Sequence, residues 1–535
     1  MKSKALSPQF TVLLLATALM GAGCQSSGSY QAAYNHSASS GAAKLSKSKR
    51  APSAAAAVMV APCAPDVIAS SSSPCWAEVS GESYSKVTEN AFIRTAAQPV
   101  SPFGADVDTA SYANIRRLIQ SGAEVPAGAV RLEEMINYFR YDDPQPAPGQ
   151  PFGVRMETAE CPWEVGHRLL KVSLRTRDVA PASRPPANLV FLVDVSGSMD
   201  EKNKLPLVKK GLGILTDGLR SGDRIAMVTY AGNSGLALPS TPGENRSAIR
   251  AAIRHLSAGG STNGGEGIEL AYRIASENFI RGGVNRVIFA TEGDFNVGLT
   301  DETALERLIT TKAKSGVFLS VLGFGMGNLK DSTLEMLADK GNGNYAYIDT
   351  TEEARKVLEA DATGTLLTVA KDVKLQLQWN AAAATRYRLL GYENRVMENQ
   401  DFANDARDSG DMGAGQSVTV LYQYVPAASQ GQLATLRIRH KLPEAAQSTL
   451  ATFNCPAGGT TPFAAASADF RFAASVASFG LVLRGSPHAG TATRESILDW
   501  ASGARANDPG GLRREFIRLT GKAKLPHLPV TTAKR

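Results

Sequence analysis

The chain has 535 residues, of which 43% are hydrophobic and 20% are charged, and its formal net charge is +7. This length allows several domains, and the hydrophobic content is ordinary for a globular protein. The positive charge is modest, and no basic stretch interleaved with aromatic residues argues for nucleic acid as a partner.

The first residues have the layout of a signal peptide. Lys2 and Lys4 precede an apolar segment at residues 10–20, and small residues follow it up to Cys24. The apolar segment is shorter than the ~20 residues that a membrane-spanning helix needs. The sequence therefore predicts that residues 1–23 are a signal peptide and that the protein is exported.

Ala22-Gly23-Cys24 resembles the lipidation motif of bacterial lipoproteins, with Gly21 at the position where that family usually has leucine. The resemblance implies that Cys24 carries the lipid and becomes the first residue of the mature chain. Gln25 after this cysteine implies an outer-membrane location within the cell envelope. An ordinary secretory signal with an incidental cysteine is the alternative.

Residues 24–91 are predicted to be a disordered tether, because they are rich in Ser, Ala and Gly and show no lasting hydrophobic period. Within the tether, Cys63 and Cys75 lie close enough in sequence for a small disulfide loop in an oxidising compartment. Cys161 and Cys455 are the two remaining cysteines, but they are far apart in sequence, so whether they form a disulfide stays open.

The region 92–187 is predicted to contain helices and then strands. One helical pattern follows Asp108 and Thr109 and runs to Ile119, a second occupies 131–139, and segments 154–157 and 169–174 alternate with a period of two.

Polar residues precede the first of these helices. Asp108 or Thr109 is expected to cap a helix that runs to Ile119. Asp106 and Asp108 also suggest calcium ligands, but the rest of a calcium-binding loop is missing, so the capping role is preferred.

The region 188–366 alternates short apolar runs with amphipathic helical patterns, which predicts a mostly parallel sheet covered by helices on both faces. The predicted strands are 189–193, 223–230, 236–238, 286–289, 317–322 and 345–348. The predicted helices begin near 204 and then cover 244–256, 266–279, 302–314, 332–338 and 352–360.

One carboxylate and two hydroxyls, Asp194, Ser196 and Ser198, follow the first strand of this region. Open parallel sheets bind ligands at the carboxyl ends of their strands. Hard oxygen ligands suit Mg²⁺, with Mn²⁺ or Ca²⁺ as alternatives, and do not suit zinc or copper. A simple helix cap is the competing interpretation.

The pattern Asp-x-Ser-x-Ser resembles the metal-ion-dependent adhesion site of von Willebrand factor type A domains. In that family, a threonine and an aspartate from two later loops complete the site. Thr262 in loop 258–264 and Glu292 in loop 290–294 match them in order, although Glu292 is one methylene longer than aspartate. The resemblance implies a Rossmann-like α/β domain whose metal residues are Asp194, Ser196, Ser198, Thr262 and Glu292.

The segment 323–328 is an incomplete match to the glycine-rich motif of dinucleotide-binding sites. It follows a strand and precedes a helix, but Asn328 stands where the third glycine of the fingerprint belongs, so a tight turn is predicted. The chain also has no P-loop and no metalloprotease or hydrolase motif, and its six histidines are scattered. No catalytic residue and no organic cofactor are therefore predicted.

Beyond residue 366 the pattern changes. Period-two segments predict a β-rich domain at 367–460, to which the strands before residue 188 also contribute, and a helical region follows at 461–535. Segments 103–117, 131–139 and 479–487 resemble one family of bacterial envelope lipoproteins that carry a type A domain.

These features favour a non-enzymatic, lipid-anchored envelope protein that grips an Asp or Glu of a protein partner through Mg²⁺. One alternative is a structural envelope scaffold with a silent metal site. A metal-dependent envelope hydrolase is less favoured, because no nucleophile and base pair is visible. The sequence names neither the partner nor the oligomeric state.

Overall fold

The computed structural model describes residues 81–231, 234–260, 264–293, 302–407, 409–428, 431–455, 461–506 and 508–526. The predicted signal peptide, Cys24, Cys63, Cys75 and Thr262 lie outside the described residues.

Six strands form a central sheet, in which every neighbouring pair is parallel except the last, at one edge. From one edge to the other they are Tyr345–Ile348, Phe318–Phe324, Val284–Thr291, Ala187–Asp194, Arg224–Tyr230 and Ser234–Pro242. Ala187–Asp194 lies between two parallel neighbours, and its last residue pairs with Tyr230. The carboxyl ends of the five parallel strands therefore meet at one edge, as the sequence predicted.

Helices cover both faces of the central sheet. They are Leu205–Asp217, Arg246–His255, Gly264–Glu277, Glu302–Ala313, Asp331–Lys340, Thr351–Arg355 with a π-helical turn at Lys356–Ala360, and Ala362–Leu366. Phe191 faces one apolar core, whereas its neighbours Val190 and Leu192 face another. Successive strand residues point to opposite faces, so a strand buried on both sides has to be apolar throughout. The predicted Rossmann-like, mostly parallel domain is confirmed.

Two antiparallel sheets enclose a second core and form a β-sandwich. One sheet contains Ile93–Arg94, Ala384–Leu390, Ser417–Pro426, Arg168–Thr176 and Phe152–Glu160. The other contains Met412–Gly413, Thr368–Trp379, Ala434–Lys441 and Thr449–Cys455, with Val100–Gly104 paired to Thr368–Trp379. Strands from before and after the central sheet thus pair with each other.

The remaining helices share a third core. Ala110–Ser121 and Leu132–Asn137 from the amino-terminal side pack with Ala468–Arg484, Arg494–Gly503 and Leu512–Lys522. Phe472 bridges the two groups, with its ring centroid 4.9 Å from that of Phe139 and 5.4 Å from that of Phe516. The predicted carboxyl-terminal helical segment is confirmed. Among the described residues, no helix is long and apolar enough to cross a membrane.

The predicted cap of the first helix is wrong. The helix begins at Ala110, and Thr109 occupies the capping position without a side-chain hydrogen bond. Asp108 instead accepts a hydrogen bond of 2.7 Å from the backbone nitrogen of Tyr345, at the edge of the central sheet. The buried N–H of Tyr345 needs an acceptor, and Asp108 supplies it instead of capping its own helix.

One other expectation needs correction, and one pairing that the sequence left open is decided. Residues 81–91, assigned to the tether, contact the folded part: the backbone nitrogen of Ser83 donates to Leu329, and Asn90 donates to the carbonyls of Leu389 and Gly391. Cys161 and Cys455 do not form a disulfide, since both are free, buried thiols.

Candidate metal site

Asp194, Ser196 and Ser198 meet where the central strand ends. Asp194 is fully buried, and its Oδ1 accepts a hydrogen bond of 2.9 Å from the backbone nitrogen of Ser196. This bond fixes the turn after the strand, and a 3₁₀ turn at Gly197–Asp200 follows. The hydroxyl oxygens of Ser196 and Ser198 are 3.0 Å apart. The structure thus brings these three predicted residues together.

Two residues that the sequence did not single out support Asp194. The Tyr230 hydroxyl donates to Asp194 Oδ2 at 2.9 Å and lies 3.1 Å from the Thr291 hydroxyl oxygen. Thr291 Oγ1 is 3.4 Å from the same carboxylate oxygen. Tyr230 and Thr291 are the last residues of the two strands that flank the strand of Asp194. Their position at these strand ends is a sequence signal from which they could have been predicted.

The second loop is tied to the first by two backbone hydrogen bonds. Gly259 donates to the Val195 carbonyl at 2.8 Å, and Gly197 donates to the Gly260 carbonyl at 3.1 Å. Thr262 lies just beyond Gly260 but outside the described residues, so its role stays a prediction.

Glu292 is buried and meets a partner that the sequence did not suggest. Its Oε2 lies 2.6 Å from the Lys204 ammonium, and Oε1 has no hydrogen-bond partner in the described part of the chain. Lys204 also donates to the Ser198 carbonyl at 3.0 Å and lies 3.1 Å from Glu201 Oε1. No sequence signal marks Lys204, because its role depends on a loop that is distant in sequence.

The site is electrostatically suited to a cation. Burial raises the pKa of Asp194, and the charge of Glu292 adds to that rise, whereas hydrogen bonds from Ser196 and Tyr230 oppose it. Burial lowers the pKa of Lys204, but the hydrogen bonds and charges of Glu292 and Glu201 outweigh this and hold its pKa above the ordinary value. The cluster holds two buried carboxylates, Asp194 and Glu292, and one buried ammonium, which pairs with Glu292, so added positive charge would stabilise the cluster.

The residues fit a hard divalent ion. Asp194, Ser196, Ser198 and Glu292 supply oxygen atoms only, which is the ligand chemistry that Mg²⁺ prefers. The partnerless Oε1 of buried Glu292 is consistent with this, because buried polar atoms normally have a partner.

A second group of acids lies elsewhere. Oxygens of Asp108, Glu134 and Glu335 lie within 4.8 Å of one another. They already have partners, including the guanidinium groups of Arg131 and Arg395. The calcium alternative for Asp106 and Asp108 therefore gains no support: Asp106 is itself 3.1 Å from Arg395.

Three protein-family profiles match the chain. They are described as "von Willebrand factor" at residues 78–171, "von Willebrand factor type A domain" at 188–360, and "Uncharacterized protein YfbK, C-terminal" at 364–433 and 426–525. The fold and the oxygen-rich sheet edge thus define a von Willebrand factor type A protein. This class often mediates protein interactions and commonly binds a divalent metal at this edge.

Uncharacterized protein YfbK of Escherichia coli (strain K12) is 43% identical over 463 residues, which cover 82% of this chain and 80% of that relative. The chain therefore belongs to the YfbK family of bacterial von Willebrand factor type A proteins.

More distant similarities concern smaller parts or the general shape. Human inter-alpha-trypsin inhibitor heavy chain H4 is 26% identical over 166 residues, which cover 30% of this chain and 18% of that protein. The solved structure of von Willebrand factor type A from Catenulispora acidiphila has a TM-score of 0.43 and 17% identity, and it covers 72% of this chain and 99% of its own.

Proposed function

We propose that this protein is a non-enzymatic binding protein of the cell envelope, anchored by a lipid on Cys24. It captures a protein partner through a Mg²⁺ ion that bridges the site to an Asp or Glu of that partner. The observation that carries the proposal is the oxygen-only cluster at the carboxyl edge of the sheet, in which Asp194, Ser196 and Glu292 are buried and Ser198 is exposed.

Mg²⁺ takes six oxygen ligands and usually keeps several waters. Asp194, Ser196, Ser198 and the predicted Thr262 offer fewer than six oxygens. The remaining positions would be open to water or to an external carboxylate. Ser198 is exposed, so this side of the cluster is open to a partner.

A hydrolase needs a free base or nucleophile beside the metal. Among the described residues at this edge, the Lys204 ammonium pairs with both Glu292 and Glu201. The hydroxyls of Tyr230 and Thr291 are directed to Asp194. These contacts support binding rather than catalysis.

The metal half of the proposal is tested with Asp194→Ala, which removes the one carboxylate of the first loop. We expect titration calorimetry to show that Mg²⁺ and Mn²⁺ binding is abolished while the circular dichroism spectrum is retained. The same loss should end capture of envelope proteins that a chelator also releases.

Asp200→Ala is the matched control, because Asp200 is an exposed carboxylate in the same turn. It should bind metal like the wild type. Equal metal binding by Asp194→Ala and the wild type would show that the motif is only a helix cap. Metal binding without any chelator-sensitive partner would favour the scaffold with a silent site.

The anchor is tested by metabolic labelling with a radioactive fatty acid. The wild type should incorporate the label, and Cys24→Ser should not, because the thiol is the acceptor of the lipid. An unlabelled wild type would contradict the lipid anchor and leave the secretory alternative.

A further inference from the structure

Lys204 places a buried positive charge beside the proposed metal site. Its side chain is only 3% exposed, and its ammonium contacts the Ser198 carbonyl and the carboxylates of Glu201 and Glu292. A lysine is almost never fully buried unless it is paired, so these oxygens hold it in place.

The surrounding fold accommodates the lysine stem. A Cβ atom on Gly325 would lie 2.6 Å from Lys204 Cε, and Gly325 has a φ of +82°. The glycine therefore serves both the turn and the space for the lysine. This explains the glycine-rich segment 323–328 without a dinucleotide.

The helix that follows Lys204 does not stabilise its positive charge. Lys204 immediately precedes the helix Leu205–Asp217, and the amino end of a helix carries partial positive charge. Hence the acids at the sheet edge, rather than the helix, stabilise the ammonium.

The ammonium does not take the place of the metal. It binds the backbone carbonyl of Ser198, and none of its contacts in the described residues is with Asp194 or a serine hydroxyl. It engages Glu292 instead and leaves Asp194 with its own hydrogen bonds.

This arrangement sets the charge of the loaded site. The two carboxylates of Asp194 and Glu292 would together balance the charge of a divalent ion. Lys204 already balances Glu292, and the charge of Glu201 is screened because its side chain is 60% exposed, so among the buried groups a bound ion retains one positive charge.

We infer that Lys204 is a built-in counter-ion that weakens metal binding and leaves the loaded site positively charged toward an external carboxylate. The inference rests on the proposed function, because it concerns the affinity and charge of the same site.

The test is titration calorimetry of the full-length protein with Mn²⁺ alone. Lys204→Met keeps the apolar stem and removes the charge, so we expect Mn²⁺ to bind at least about tenfold more tightly. Lys202→Met removes an exposed lysine from the same loop and should change the affinity by less than about twofold, because solvent and salt screen that charge.

A double-mutant cycle separates charge from packing. Glu292→Gln should weaken Mn²⁺ binding by about tenfold, since it leaves the ammonium poorly compensated beside the ion. Lys204→Met combined with Glu292→Gln should return the affinity close to that of the wild type. If Lys204→Met does not fold, Lys204→Gln serves instead, because it retains a donor for the Ser198 carbonyl.

The outcomes are distinguishable. Mn²⁺ affinity of Lys204→Met equal to or weaker than that of Lys202→Met would overturn the role of Lys204, while Asp194-dependent binding by the wild type would leave the proposed function standing. Absence of Mn²⁺ binding in the wild type and in both lysine variants would overturn both.

Discussion

Two groups of acids in this protein differ in how their carboxylate oxygens are paired. At the sheet edge, the Lys204 ammonium pairs with Glu292 and not with Asp194, and Oε1 of Glu292 has no hydrogen-bond partner among the described residues. In the second group, which we call the arginine–carboxylate network, two arginines join six carboxylates. Its members are Arg131, Arg395, Asp106, Asp108, Glu134, Asp331, Glu335 and Asp339.

Two acids of the network, Glu134 and Asp331, have several close donors. Glu134 accepts a hydrogen bond of 2.8 Å from the Ser111 backbone nitrogen, and Asp331 accepts one of 3.0 Å from the Tyr345 hydroxyl. Arg131 forms ion pairs with both of these acids. Through these contacts the network joins the amino-terminal helices to the central sheet region.

The number of acids in a group therefore does not by itself indicate a metal site. The network has more carboxylates, but guanidinium and N–H donors already occupy their oxygens. The sheet edge has fewer carboxylates, yet it combines them with serine hydroxyls and an unpaired carboxylate oxygen. A cation gains most where oxygens lack other partners.

The largest expected effect comes from breaking the network at Arg131. Arg131→Met leaves Glu134 and Asp331 buried without their shared counter-ion, which should cost about 3–5 kcal/mol of unfolding free energy. Urea denaturation followed by circular dichroism measures this loss. Mn²⁺ affinity should stay unchanged in the folded variant, because the sheet edge has its own charges.

Arg140→Met is the matched control. Arg140 pairs with Asp361 but is 75% exposed, so its loss should cost less than about 1 kcal/mol. Equal costs for the two arginines would show that the buried network contributes no more to stability than a surface pair.

A smaller, pH-dependent effect is expected at Glu133, next to the network. Burial raises the pKa of Glu133 to about 7, and the charges of Glu393 and Glu134 add to the rise. The folded state therefore binds this proton more tightly than the unfolded state, whose glutamate has a pKa of about 4.3. Protonated Glu133 therefore adds to the unfolding free energy at low pH, and this contribution is lost as the pH rises from about 4.3 toward 7.

Glu133→Gln removes this titration. The variant should gain stability relative to the wild type between pH 5 and pH 8, by roughly 2–3 kcal/mol. Urea denaturation at both pH values measures the difference, with exposed Glu124→Gln as the control. A difference between variant and wild type that is the same at both pH values would contradict the raised pKa.

Local pattern was enough to predict much of the fold. Continuous apolar runs such as 189–193 predicted buried parallel strands, and period-two runs such as 373–379 predicted the antiparallel ones. The Asp-x-Ser-x-Ser motif also identified the first loop, because its three residues lie within a single turn. The domain boundaries, Thr262 and Cys24 remain predictions.

Only the tertiary structure determined the partners of buried charges. Lys204 meets Glu292, and Arg131 meets Asp331 across 200 residues, because the fold brings distant loops together. Asp108 bonds to Tyr345 rather than capping its own helix for the same reason. Hydrophobic periodicity is a property of neighbouring residues and can be read along the chain. The pairing of a buried charge depends on which groups share its low-dielectric surroundings, and that is decided when the chain folds.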